Sequence, residues 1–259
     1  IRPLIQRYQK LVDRRGVPLD AAARRVVRRP TVTAAMLLES GEVDAALCGS
    51  RDDWGRHMTY VLPIIPKRQD VGRIYALSAL ILQNGALFFC DTHVNIDPTA
   101  EQIAEMTVLA ADAVRRFGLA PKAALLSHSS FGAGNSQSAI KMRQALKLLR
   151  QRAPELEVDG EMHADAALSE ALRHRLVTHS PLTGSANLLV MPTLDAANIA
   201  MTLLSAATEA LLVGPLLLGI SKPIQVMVPR VTARGIVNMT ALAVAQANVQ
   251  EREHAPHSP

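Results

Sequence analysis

Short apolar runs recur along this chain, and most are followed by a stretch whose apolar residues have helical spacing. That alternation constrains the fold more than any other feature. Val43–Cys48 reads as a strand covered on both faces, and AALLS (Ala123–Ser127), LEVDGEM (Leu156–Met162), NLLVM (Asn187–Met191) and Ile224–Val228 as further strands. Helical spacing runs over Leu4–Arg15, Leu19–Arg29, Thr31–Ser40, Trp54–Ile65, Ser136–Arg152, Asp165–His174, Asp195–Ala207 and Thr232–Val249. Thr99 followed by Gln102 matches a capping box, opening a helix that Gly118 closes after Phe117. Asn84-Gly85 between Ile74–Leu82 and Ala86–Asp91 signals a hairpin, and the terminal HAPHSP reads as disordered. Strands alternating with crossover helices imply an α/β fold, mostly parallel sheet with helices on both faces. Ligands of such folds collect at the carboxyl ends of the strands.

Composition narrows the class. With 259 residues, 49% of them hydrophobic, the chain can build one large core or two of ordinary size. A net charge of +5 suits phosphates, an anionic partner or simple solubility. Aromatics are only 3%, too few for base-stacking platforms, which disfavours nucleic acid. Cys48 and Cys90 end apolar runs and read as buried thiols of a reducing compartment. No signal peptide is visible, and the run ALLVGPLLLGI is broken by Gly214 and Pro215 and too short to span a bilayer. A cytoplasmic protein without a membrane partner is the expectation. The start at Ile1, directly on an amphipathic stretch, reads as a fragment with an upstream portion missing.

Four stretches carry candidate chemistry. SHSSFGAGNSQS (Ser127–Ser138) lies between a strand and a helix. Its glycines let backbone N–H groups approach an anion at a helix start, or it is an ordinary loop with Ser136 as N-cap. In VDGEMHAD, Asp159, Glu161 and His163 alternate onto one strand face, with Asp165 capping the next helix. That cluster is either a metal or acid/base site or, more commonly, a hydrogen-bonded strand end. In VPRVTARG, Arg230 and Arg234 flank the N-cap Thr232, where cations are mildly unfavourable. They either hold an anion there or project into solvent. In RRVVRRP, Arg24, Arg25, Arg28 and Arg29 form one basic helix face, read as solvated or as a partner-subunit surface ahead of a phosphate site. His57, His93, His174 and His179 stand singly and read as structural or surface. No nucleophile elbow, CxxC pair or HExxH occurs.

Taken together, DTHVNIDPTAEQIAEM, LLSHSSFGAGNS, VDGEMHADAAL, ANLLVMPTLDAANIA and VGPLLLGISKPI resemble the phosphate acetyltransferase/butyryltransferase family, in that family's order. The resemblance implies two doubly wound α/β subdomains with a cleft between them. Residues 1–96 and 229–259 would form the first, and residues 97–228 an inserted second. It also exposes a departure. After the KPI segment the family carries an Asn-Asp-Leu-Ser-Arg-Gly type sequence whose Ser-Arg pair serves acyl transfer. Here the corresponding residues are Gln225, Val226, Met227, Val228, Pro229 and Arg230, and the family's acidic residue falls on or near Gly235. Valine stands for the serine and proline for the arginine.

A narrower resemblance accounts for the loss. SHSSFG, DGEMHADAAL, GSANLLVMP and TARGIVNMTALAV are similar to the C-terminal phosphotransacetylase-like domain of bacterial NADP-dependent malic enzymes. It implies a regulatory domain that senses acetyl-CoA or a related CoA ester, has no catalytic residues or metal of its own, and helps to assemble a homo-oligomer. Malate oxidation, NADP and a divalent metal would belong to an upstream malic domain. The implied ligand residues are Ser127, His128, Ser130, Asn135 and Ser136 on one loop, with Lys222, Arg230, Thr232 and Arg234. An active phosphate acetyltransferase and a scaffold that has lost its ligand are the competing readings.

Overall fold

The computed structural model describes residues 1–254, so all of HAPHSP after His254 lies outside the described residues. The chain forms two compact units, Ile1–Asp70 with Gly219–Pro259, and Val71–Leu218.

The first unit begins with three helices, α1 (Arg2–Val12), α2 (Leu19–Arg28) and α3 (Pro30–Ser40). Pro30 separates the last two, because the residue before a proline avoids helical geometry and Arg29 is extended at φ −118° and ψ 97°. Pro30 then opens α3, and Gly41, left-handed at φ 78°, closes it. Strand β1 (Ala46–Gly49) and helix α4 (Trp54–Val61) follow, with the Asp53 carboxylate capping α4 by accepting the Arg56 N–H at 3.0 Å.

The second unit is a six-stranded sheet. Its elements are β2 (Tyr75–Leu82), β3 (Gly85–Cys90), α5 (Ala100–Arg116), β4 (Lys122–Leu126), α6 (Gln137–Arg152), β5 (Glu157–Met162), α7 (Ala164–Leu168), α8 (Glu170–Leu176), β6 (Leu188–Val190), α9 (Leu194–Thr208) and β7 (Leu211–Leu218). The strand order is β5-β4-β6-β3-β2-β7. The β5-β4, β4-β6 and β6-β3 pairs are parallel, and β3-β2 and β2-β7 are antiparallel. Helices α5 and α6 pack against strands of this sheet and against each other. Leu80, Phe89, Ala124 and Leu189 point to the opposite face, in a core shared with Ala166 of α7 and Ala197 and Met201 of α9. The chain then returns to the first unit with β8 (Ile224–Met227), parallel to β1 in register Ala46↔Ile224 to Gly49↔Met227, and ends in α10 (Ala233–His254).

The α/β class and the mostly parallel pairing agree with the sequence pattern. Four details differ. The units divide at 70/71 and 218/219 rather than at 96/97 and 228/229. The hairpin β2-β3 is hydrogen-bonded into the six-stranded sheet, whereas β8 pairs only with β1. The predicted helix Asp165–His174 is two helices, because Ser169 is extended and its hydroxyl caps α8 by accepting the Leu172 N–H at 3.3 Å. The run ALLVGPLLLGI, expected to be interrupted at its proline, is strand β7. Pro215 is tolerated there because β7 is an edge strand, and Gly214 (φ 129°) sits where the register shifts, β7 carrying one residue more than β2 between Val213 and Leu216. A side chain at Gly214 would fall 3.0 Å from the Leu77 carbonyl oxygen. Among the described residues no helix is long and apolar enough to cross a membrane.

One buried cation fastens the α7–α8 corner. Arg173 is fully buried, and its guanidinium donates to the carbonyls of Ala166 at 3.0 Å, Leu182 at 2.7 Å and Gly184 at 2.8 Å. Those carbonyls belong to segments with no ladder to satisfy them, so the arginine supplies the donors that backbone pairing does not. Arg173→Leu is expected to cost about 3 kcal/mol or more, because several buried acceptors lose their partner at once. A shift in the urea denaturation midpoint measures it. A cost well below about 1 kcal/mol, the range of one ordinary hydrogen bond, would show that the corner closes without the guanidinium.

Candidate functional site

The loop from Ser127 to Ser136 leaves the carboxyl end of β4 and is built around one carboxylate. Glu161, at the end of the neighbouring strand β5, is fully buried. Its Oε1 accepts from the Ser129 hydroxyl at 2.9 Å, the Gly132 N–H at 3.1 Å and the Arg143 guanidinium at 2.8 Å. Arg143, in the second turn of α6, also donates to the Gly134 carbonyl at 2.9 Å, and its Nη2 to Asn135 Oδ1 at 3.4 Å. Ser129 Oγ in turn accepts the Gly134 N–H at 2.8 Å. The loop is therefore tied to the sheet by charge-assisted bonds, the strong class of protein hydrogen bond.

The other loop residues fall into two groups. Ser127 N–H donates to the Met162 carbonyl at 2.9 Å, and its hydroxyl accepts the Ser129 N–H at 3.2 Å. Ser136 caps α6 by accepting the Ala139 N–H at 3.2 Å, as its ordinary-loop reading expects. These two are committed to holding the loop. His128, Ser130 and His163 line an open cavity of about 700 Å³ together with Gly132 and Gly134. Here His163 Nε2 lies 2.7 Å from the His128 carbonyl oxygen, and since a carbonyl only accepts, Nε2 carries the hydrogen. The His163 N–H donates to Ser130 Oγ at 3.1 Å.

Asp159 does not join Glu161 and His163 as the strand alternation predicts. Its carboxylate accepts from the Ser180 hydroxyl at 2.6 Å and from the Gly160 N–H at 2.9 Å, next to Arg150 at 3.7 Å. The strand turns between them at Gly160, whose φ of 145° only glycine readily adopts. Nor does Asp165 cap the following helix. His163 is the N-cap, and Asp165 Oδ1 accepts the Ala166 N–H from inside the first turn.

The first unit holds the remaining sequence candidates. Lys222 is tied to the end of α3. Its ammonium donates to the carbonyls of Leu38 at 2.9 Å and Glu39 at 3.0 Å, near the carboxyl end of α3, where the helix dipole favours a cation. Thr232 is the N-cap of α10, accepting the Gly235 N–H at 3.0 Å. Arg230 and Arg234 flank it on exposed positions, and neither pairs with a described residue. Sequence reasoning passed over the loop after β1. Residues of CGSRDDWGRH, together with Arg28 and Arg29 from the basic RRVVRRP stretch, line a cavity of about 640 Å³. The signal was three basic side chains within eight residues of the strand end at Gly49, Arg51, Arg56 and His57. Cys48 in that wall is no nucleophile at neutral pH, since burial pushes its thiol up to about 12.

Comparison with known proteins places this geometry in context. A sequence model of the phosphate acetyl/butaryl transferase family matches residues 1–244. The chain is 51% identical over 248 residues to an NAD-dependent malic enzyme of Rhizobium meliloti (strain 1021), a match covering 95% of this chain and 32% of the relative. It is 48% identical over 244 residues to an NADP-dependent malic enzyme of Escherichia coli (strain K12), covering 94% and 32%. The chain thus spans about a third of the length of the curated relatives it matches. A solved phosphotransacetylase from Streptococcus pyogenes superposes with a TM-score of 0.85 at 27% identity, covering 95% of this chain and 75% of that one.

Replacing Glu161 by alanine is expected to loosen the whole Ser129–Gly134 turn, since two donors and a guanidinium lose one acceptor. The cost is about 2 kcal/mol for groups left unpaired, read as faster amide hydrogen exchange at Gly132 and Gly134. Unchanged protection there would show that the turn is held by its other bonds.

Proposed function

The chain belongs to the phosphate acetyl/butaryl transferase family, and from that premise we propose that it is a regulatory, acetyl-CoA-sensing domain of an NAD(P)-dependent malic enzyme, itself without transferase activity. The likeness to malic enzymes at about half identity supports the first part. The observation that carries the second is the pair Val228-Pro229. These residues follow β8, where the family resemblance places a serine and an arginine. The Val231 N–H closes a turn onto the Val228 carbonyl at 3.0 Å, and Pro229 suits the second position of such a turn. A valine side chain offers no hydrogen bond to a thiol or phosphate, and proline offers no guanidinium. With valine and proline at these two positions, the turn presents neither a hydroxyl nor a guanidinium there.

An anionic ligand still finds contacts at this point. Arg230 and Arg234 stand beside the amino end of α10, whose free N–H groups and dipole attract negative charge. Uncommitted arginines there make the helix start an anion acceptor with no catalytic group attached. In the other unit, His128 and Ser130 face the cavity that Gly132 and Gly134 also line, and a phosphate or a thioester carbonyl can approach the backbone where glycines leave it bare. The whole enzyme would oxidise and decarboxylate malate in the cytoplasm as a homo-oligomer, with NAD(P) and a divalent metal held by an upstream domain. Acetyl-CoA regulates it by binding two of its states unequally.

Isothermal titration of this chain with acetyl-CoA, with acetyl phosphate formation assayed on the same sample, tests the reading. Binding without turnover is expected, and Arg230→Ala is expected to weaken it by about 1.5–3 kcal/mol, the loss of a charged hydrogen bond. Turnover would establish an active transferase instead, and absence of both a scaffold.

A further inference from the structure

The outward surface of α1 and α2 carries a charge excess that neither the fold nor the acetyl-CoA reading uses. Residues 1–29 hold nine of the chain's 28 lysines and arginines but only two of its 23 acidic residues, so they account for more than the whole net charge of +5. Eight of the nine are arginines. Arg7 pairs with Glu39 and Arg24 with Asp20, and Arg28 and Arg29 line the β1 cavity. Arg2, Lys10, Arg14 and Arg15 are exposed and pair with no described residue. The helix dipole explains Lys10, in the last turn of α1, but not Arg2 at the opposite, positive end. Like charges gathered on two packed helices repel one another, and an acidic partner relieves that repulsion.

The same surface is apolar as well as basic. Leu19, which opens α2, is 58% exposed, and Val27 is 63% exposed. Neither belongs to the inner face of the helix pair, which is buried through Tyr8 and Val12 of α1 and Ala22 and Val26 of α2. Val27 stands three residues after Arg24, so an aliphatic and a guanidinium group share one exposed stripe of α2. Arginine beside exposed aliphatics is the composition of a protein interface, whereas a face meant only for water has no use for Leu19 or Val27. A nucleic-acid backbone would take the charges, leave the aliphatics unused and be repelled by Asp13 and Asp20. A membrane surface would need the apolar stripe of α1, which the fold has already buried.

We propose that α1 and α2 form the docking surface for an acidic, partly apolar face of the upstream domain of the malic enzyme. The proposal rests on the reading of this chain as part of such an enzyme, and the matched relatives are about three times its length. On that reading the upstream domain joins at Ile1, which is exposed at the start of α1, so its polypeptide enters on this surface. A tethered partner stays at high effective concentration, and a contact of modest area then suffices. A second copy of the chain is disfavoured, since a two-fold axis would set one basic surface against another.

Amide hydrogen exchange over residues 2–28 is compared between the whole enzyme and this chain alone. At low salt, exchange in the whole enzyme is expected to be slower by about tenfold or more. R14E/R15E and, separately, L19S/V27S are expected to return it to the rate of the isolated chain, and about 1 M salt to do so in part. The four side chains are exposed, so melting of the isolated chain should not change. Equal exchange in the two proteins, or protection that survives both variants, would overturn the proposal. Protection that grows with enzyme concentration would assign the surface to a second copy, and protection of the isolated chain by RNA or by phosphatidylserine vesicles would assign it to those partners; each sinks the proposal as well. An enzyme that shows the contact but ignores acetyl-CoA would support the docking surface and remove the regulatory reading.

Discussion

Most of the sheet in the second unit is buried on both faces, so a polar group there has to be satisfied by the protein itself. That demand shapes everything at the ends of its strands. Glu161 and Asp91 are both buried, and each organises the chain around it rather than waiting for water. Asp91, just past β3, accepts the N–H groups of Ala76, His93, Val94 and Asn95 at 3.0–3.1 Å. Burial pushes its carboxyl up, while these donors pull the other way. Glu161 gathers hydrogen-bond donors from the loop after β4 in the same manner. Two acceptors thus fix two turns on the edge where α/β proteins bind their ligands.

How far the sequence reached follows from which signals are local. The capping box at Thr99 and Gln102 is complete in the structure, and the Asn84-Gly85 hairpin is present, because each is decided by a few neighbouring residues. Strand β7 escaped because Pro215 marks a break in any strand whose neighbours are unknown, and only the sheet order reveals it as an edge. The same limit governed the charged residues. Lys222 looks like a ligand contact beside an apolar run, and only the fold brings it to the carbonyls of α3. Alternation on a strand put Asp159 with Glu161, until the left-handed Gly160 between them sent each to separate partners. Arg143, which completes the Glu161 network, lies far along the chain from that carboxylate and carries no motif.

The two units carry their candidate chemistry differently. In the second, the loop is internally bonded down to Ser127 and Ser136, so its shape is set before any ligand arrives and little ordering remains to be done on binding. In the first, the side chains of Arg230 and Arg234 at α10 and of Arg28, Arg51 and Arg56 around the β1 cavity are exposed and pair with no described residue. A rigid backbone cradle and a set of free guanidiniums are both anion acceptors, yet neither contains a paired nucleophile and base. The protonated thiol of Cys48 fits the same description.

The pairing of β1 with β8 has a consequence for synthesis. Ala46 emerges from the ribosome well before its partner Ile224, with the whole second unit between them. That unit can complete its sheet as soon as Leu218 is available. The opening helices and β1 must meanwhile wait with an unpaired edge, at the usual pace of about 5–20 residues per second. The first unit is therefore the slower to close and the more exposed to holdase chaperones or to misassembly, although its helices are made first. Any truncation between β7 and β8 would leave a sheet that folds beside helices that cannot finish.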